Sequence, residues 1–246
     1  MKRSSSGLTK GRGFIGILLL AGLVLFQGQT FYGKRQTGFY KTKEDGAPFG
    51  YFIPQKFDQK KTYPLVVVFG RKATDVMTWK DLANKEGLII LAIQPKYGGV
   101  WNWNWDMDRA LKKIEEVKKW YPIDAGKVWA TGYEEGGDFA LLVTINHPEL
   151  MSRASVVEAK GATMKIPQGD SGDRADPFNF SDKAELHRPL QLLSFTKSAR
   201  IAQEDLTATR EVLSKFGYAV TYGTLEGESY SPTEKMSQEM YGWFKS

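Results

Sequence analysis

The chain has 246 residues, 34 Lys and Arg against 28 Asp and Glu, a formal charge of +6, two histidines and no cysteine. With 41% hydrophobic and 13% aromatic residues it is neither disordered nor fibrous, and its length suits one α/β domain. Zero cysteine excludes disulfides, thiolate metal sites and a cysteine nucleophile, and any imidazole chemistry must use His147 or His187.

Lys2, Arg3, Lys10 and Arg12 stand without an acid in residues 1–30, which leaves the rest of the chain close to neutral. They precede an apolar run over residues 14–26, FIGILLLAGLVLF, with the pattern of an export signal or a signal anchor over residues 1–30. The run is short for a spanning helix, which needs about 20 apolar residues, but no Ala-x-Ala-like cleavage site follows it. Phe31 and Tyr32 extend the span to residues 14–32 with an aromatic pair suited to a bilayer interface. The membrane is therefore an expected partner through residues 14–32. The positive-inside rule places the domain outside the cytoplasm, anchored in the cell envelope, or secreted if the segment is cleaved.

Residues 31–48 are polar and basic and read as a tether to a domain over residues 49–246. Strands are predicted at 50–54, 63–70, 88–94, 127–131, 154–158, 189–195 and 218–225, and helices at 75–87, 106–120, 136–146, 204–216 and 233–243. In the helix at 106–120, Ala110, Leu111, Ile114, Val117 and Trp120 share one stripe. Residues 159–189 are polar and irregular, an insertion or cap. Strands alternating with helices at this spacing predict an α/β fold, a mostly parallel sheet with helices on both faces. The Asp residues of the insertion lack metal-loop spacing, and no phosphate-binding loop follows a strand, so no metal or cofactor is expected. The domain carries no basic stripe with interleaved aromatics, which argues against nucleic acid.

Tyr63-Pro64-Leu65-Val66-Val67-Val68-Phe69-Gly70, Tyr121-Pro122-Ile123-Asp124, the glycine-rich Gly132-Tyr133-Glu134-Glu135-Gly136-Gly137 and Asn146-His147-Pro148-Glu149-Leu150 follow one another in an order by which the chain resembles the α/β-hydrolases, in particular their secreted esterase, polyhydroxybutyrate-depolymerase and feruloyl-esterase type. Tyr63-Pro64-Leu65-Val66-Val67-Val68-Phe69-Gly70 resembles that family's strand ending in His-Gly, with Phe69 in the His place. Val128-Trp129-Ala130-Thr131-Gly132 leads into Gly132-Tyr133-Glu134-Glu135-Gly136-Gly137, which is similar to the family's nucleophile elbow, Gly-x-Ser-x-Gly-Gly. The resemblance implies a backbone oxyanion hole from the amides of Arg71 and Glu135. It also implies a degenerate triad: Glu134 stands at the nucleophile position, Ala199 at the acid position and Tyr230 at the histidine position. A nucleophilic Glu134 would need a nearby base to release an ester intermediate.

Trp101, Trp103 and Trp105 alternate in GGVWNWNWD, after the strand ending at Gln94. An extended segment would turn all three to one side, a surface for a ligand or protein partner; the alternative is that they plug an unused active-site cleft. The expected function is a membrane-tethered, non-catalytic hydrolase-like protein, a binding or scaffolding component of a membrane assembly. The alternatives are an ester hydrolase with non-standard chemistry and a secreted ligand-binding module.

Overall fold

Short runs that are apolar at every position make strands covered on both sides, and this chain supplies them at close intervals. The computed structural model describes residues 37–44, 47–97, 99–161, 166–167, 174–175, 177–197, 203–227 and 231–246. The apolar segment at 14–32, Ala199, Tyr230 and much of the expected insertion lie outside the described residues.

Residues Gln36–Ser246 form one compact unit. Part of the expected tether is a strand, β1 (Gly38–Glu44), which forms an antiparallel hairpin with β2 (Ala47–Ile53), Gly38 facing Ile53. Its polar composition misled because β1 is an edge strand: Phe39 and Lys41 are exposed while Tyr40 turns inward and stacks on Tyr51 at 4.7 Å. β3 (Tyr63–Phe69) is followed by a 3₁₀ turn (Ala73–Trp79) and a short helix α1 (Lys80–Glu86), then β4 (Ile89–Ile93). Helix α2 (Trp105–Trp120) leads to β5 (Ile123–Tyr133), and helix α3 (Glu135–Asn146) to β6 (Arg153–Val157). Two-residue strands β7 (Ile166–Pro167) and β8 (Arg174–Ala175) pair within the insertion. β9 (Leu190–Phe195), α4 (Gln203–Lys215), β10 (Val220–Leu225) and α5 (Glu234–Lys245) complete the chain.

Among the described residues the main sheet has eight strands in the order β1-β2-β4-β3-β5-β6-β9-β10, parallel from β4 to β10, with β2 antiparallel to β4. The alternation of β-strand side chains separates two cores. Leu65, Val67, Phe69, Ile89, Leu91 and Ala130 face α2 and α3 on one side. Val66, Val68, Ile90, Ala92 and Trp129 face Trp79 and the Met236, Met240 and Phe244 row of α5 on the other. Each fully buried Val, Leu, Ile, Phe or Met side chain among them contributes roughly 1.5–3 kcal/mol. The stripe predicted for α2 is the buried one at Ala110, Ile114 and Val117, and α2 stops where Pro122 forces Tyr121 into extended backbone. No described helix is long and apolar enough to cross a membrane.

Candidate active site at the strand-to-helix elbow

β5 ends at Tyr133 and α3 starts at Glu135, so a single residue, Glu134, makes the turn at the carboxyl end of the sheet. Its backbone sits at φ 54, ψ −123, a conformation costly for a residue with a Cβ. The Glu134 amide donates to the Val157 carbonyl at 2.9 Å, which ties the turn to β6. Close packing demands glycine on both sides: a Cβ at Gly132 would fall 2.2 Å from the Gly136 oxygen, and one at Gly136 2.0 Å from the Phe69 oxygen. The backbone is that of the elbow expected from the sequence.

The side-chain chemistry is different. The Glu134 carboxylate, 10% exposed, accepts from Arg71 Nη2 at 2.6 Å, and the Arg71 side chain is 57% exposed. Arg71 follows β3 across the elbow, so this ion pair bridges the two loops between which an acyl group would have to sit. The Arg71 amide, expected as an oxyanion-hole donor, instead donates to Asp75 Oδ2 at 2.8 Å, and the Lys72 amide donates to the same oxygen at 3.0 Å. Asp75, four residues on, turns back to cap the loop and takes up both amides. A Cβ at Gly70 would lie 2.2 Å from that oxygen, so Gly70 leaves room for it. Burial pushes the Asp75 carboxyl up from 3.8, against the two amide hydrogen bonds and the Lys72 and Arg71 charges. Glu135 opens α3, an acid in its first turn.

Neither histidine reaches this place. His147 caps the far end of α3, thirteen residues beyond Glu134, or about 20 Å at the helical rise, where Nδ1 pairs with Glu149 Oε1 at 3.2 Å. His187 precedes β9, at the amino end of the sheet, stacked on Tyr218 at 4.4 Å with Nε2 2.7 Å from the Ser181 oxygen. Beneath the elbow, a space of about 20 Å³ lined by Gly70, Gly132, Tyr133 and Met240 has room for about one water.

The tryptophans do not share a face. Trp101 is 5% exposed, stacked on Phe139 at 4.2 Å and set edge-on to Phe69 at 6.0 Å. Trp103 stacks on Phe139 at 5.5 Å and is half-buried, whereas Trp105 is 61% exposed against Tyr97. The period-two argument fails because the segment is not extended: Trp103 and Asn104 form a turn and Trp105 already belongs to α2. Trp101, Phe69 and Phe139 pack against one another in the core beside the elbow.

Three buried carboxylates escaped the sequence reading. Asp106, 1% exposed, accepts from the amides of Lys96 and Asn102 at 3.0 and 2.9 Å and lies 3.7 Å from Arg109 Nη1, so it pins the loop that carries the tryptophans. Asp138, in the first turn of α3, accepts from the Gly161 amide at 2.7 Å; burial pushes its carboxyl up to about 7. Glu158, at φ 55 just after β6, accepts from the Phe195 amide at 2.7 Å. A signal existed only for Asp138, an acid beside the elbow glycines; the others are isolated acids until folding gathers their donors.

No protein-family model matches the sequence, and a search of curated proteins finds no match. Solved structures do resemble the fold. A thermostable esterase is 17% identical at a TM-score of 0.57, covering 84% of this chain and 62% of its own. A ferulic acid esterase of Anaeromyces mucronatus is 14% identical at 0.59, over 87% and 92%, and esterase 2 of Thermogutta terrifontis 12% identical at 0.62, over 86% and 94%. The chain thus spans about three fifths of the length of the first of these. At such identities the likeness speaks for the fold, which agrees with the strand order and the elbow: this chain has the α/β-hydrolase fold.

Proposed function

We propose that this is a non-hydrolytic α/β-hydrolase-fold protein, held to a membrane through residues 14–32 and acting as a binding or scaffolding component on the non-cytoplasmic face. The observation that carries this reading is the Arg71–Glu134 ion pair closing the elbow at 2.6 Å. A carboxylate at the turn and a second one, Asp75, on the Arg71 amide put negative charge where an acyl-transfer oxyanion would develop, the opposite of what stabilises it. Without an imidazole at the elbow, a Glu134 ester would have no base to direct water onto it. The basic n-region and apolar run support the membrane attachment and the orientation.

The likeness to esterases favours a second reading, a carboxylic-ester hydrolase with non-standard chemistry centred on Glu134. Full-length protein in detergent, assayed with activated short-chain esters, separates the two. The expected result is no turnover above a heat-denatured control. Turnover that Glu134→Gln abolishes would establish the hydrolase and sink the non-hydrolytic reading. Detergent extraction of cell membranes followed by affinity purification checks the assembly: a chain that always purifies alone argues against a scaffold.

A further inference from the structure

Outside the elbow, a cleft of about 350 Å³ runs along the flank of the molecule between α2 and α3, within the range of ligand pockets, about 300–1,000 Å³. One wall is apolar, from Trp103, Met107 and Leu142; the rim is polar, from Asn104, Asp108 and His147. Its frame is fixed. Trp103 is held by stacking on Phe139, and the Asn146 side chain donates to the Pro177 carbonyl at 3.0 Å while accepting from the Asn179 amide at 2.7 Å.

The lining selects a ligand class. No Lys or Arg lines the cleft among the described residues, and Asp108 repels anions, which excludes phosphates and carboxylates. Asn104 and Asp108 make no side-chain hydrogen bond among the described residues, so both are available to hydroxyl groups, and His147 uses only Nδ1, on Glu149. A cationic ligand is better served by several aromatic walls, and this cleft has one. A flat apolar face beside neutral and acidic acceptors matches a sugar ring, whose C–H face stacks on indole while its hydroxyls bond the rim. Trp105, 61% exposed, opens α2 one turn before Asp108, outside the lining of the cleft, with its ring edge-on to Tyr97 at 6.1 Å.

We propose that this cleft binds a neutral oligosaccharide, one ring on Trp103 with its hydroxyls on Asp108 and Asn104. The inference rests on the reading of the protein as a binding component and gives that component a ligand.

The test is calorimetric titration of full-length protein, in a detergent without a sugar headgroup, with β-1,4-linked trisaccharides of glucose, xylose and N-acetylglucosamine, and with tetramethylammonium as the cationic control. At least one trisaccharide should bind with a Kd of about 1 mM or tighter. Asp108→Ala, an exposed change that leaves the core intact, should weaken it about tenfold or more, and Trp103→Ala likewise. The proposal is overturned if no sugar binds at about 10 mM, if only tetramethylammonium binds, or if binding is indifferent to Asp108→Ala. Ester turnover measured on the same preparations keeps the two readings apart. Absent sugar binding with absent turnover removes only the cleft, whereas turnover lost in Glu134→Gln removes the non-hydrolytic reading whatever the sugars do.

Discussion

The Asp75 carboxylate accepts the Arg71 amide at 2.8 Å, while the Arg71 guanidinium holds Glu134 at 2.6 Å. One residue thus joins two acids, one through its main chain and one through its side chain. The loop after β3 is thereby closed onto the elbow from both directions, by contacts that leave an incoming carbonyl oxygen without the Arg71 amide.

If Asp75 is what orders this loop, Asp75→Ala should lower stability by about 1–3 kcal/mol, because two amides lose a charged acceptor. Asp75→Asn retains an acceptor and should lose less. Chemical denaturation of the three proteins gives the order directly, and equal midpoints would show that the loop is held by something else.

Glu134 carries a second cost that its ion pair conceals, namely φ 54 on a residue with a Cβ. Ala and Gly at this position both lack the carboxylate, but only glycine relieves the backbone. Glu134→Gly should therefore be more stable than Glu134→Ala by about 1 kcal/mol or more. A reversed order in thermal melts would mean that the turn is not strained.

The glycines of the elbow separate from glycines elsewhere in the same way. Gly136→Ala would drive a methyl group into the Phe69 carbonyl and should abolish soluble expression or cost several kcal/mol. Gly242 lies exposed in α5 with open space around its missing Cβ, and Gly242→Ala should stabilise by about 0.5–1 kcal/mol.

Asp138 makes stability depend on pH. Its carboxyl keeps its proton up to about pH 7 in the folded protein, against 3.8 for the ordinary group, with Lys160 pulling the value down and Glu135 pushing it up. Between those values the folded state binds more protons than the unfolded chain, so stability falls as pH rises, by up to about 1.4 kcal/mol per unit. Melting temperatures from pH 5 to 8 should drop more steeply for the wild type than for Asp138→Asn, which keeps an acceptor for the Gly161 amide. Parallel profiles would remove Asp138 as the cause.

The sheet was legible because its parallel strands are buried on both faces and so leave unbroken apolar runs, as in residues 63–69 and 89–93. The elbow was legible because close approach of two backbones leaves glycine as the one residue that fits, and Gly132 and Gly136 stand in the sequence for anyone to count. β1 was hidden by being an edge, where half the side chains are wet and a strand looks like a tether. The tryptophan segment misled because periodicity only tells which way side chains point once the backbone type is known. The closing of the elbow by Arg71 and Asp75 had no sequence signal at all: an acid four residues after an arginine is common, and only the bend after Gly70 makes it a cap.

The direction of β1 has a practical consequence. Gly38 pairs with Ile53, which puts the entry of the chain at the amino ends of the parallel strands, and α5 brings Lys245 to the same end, within 4.0 Å of Glu86. The elbow opens at the opposite end. A linker, tag or solid support joined at either end of the folded unit would therefore be attached at the end of the sheet away from the elbow.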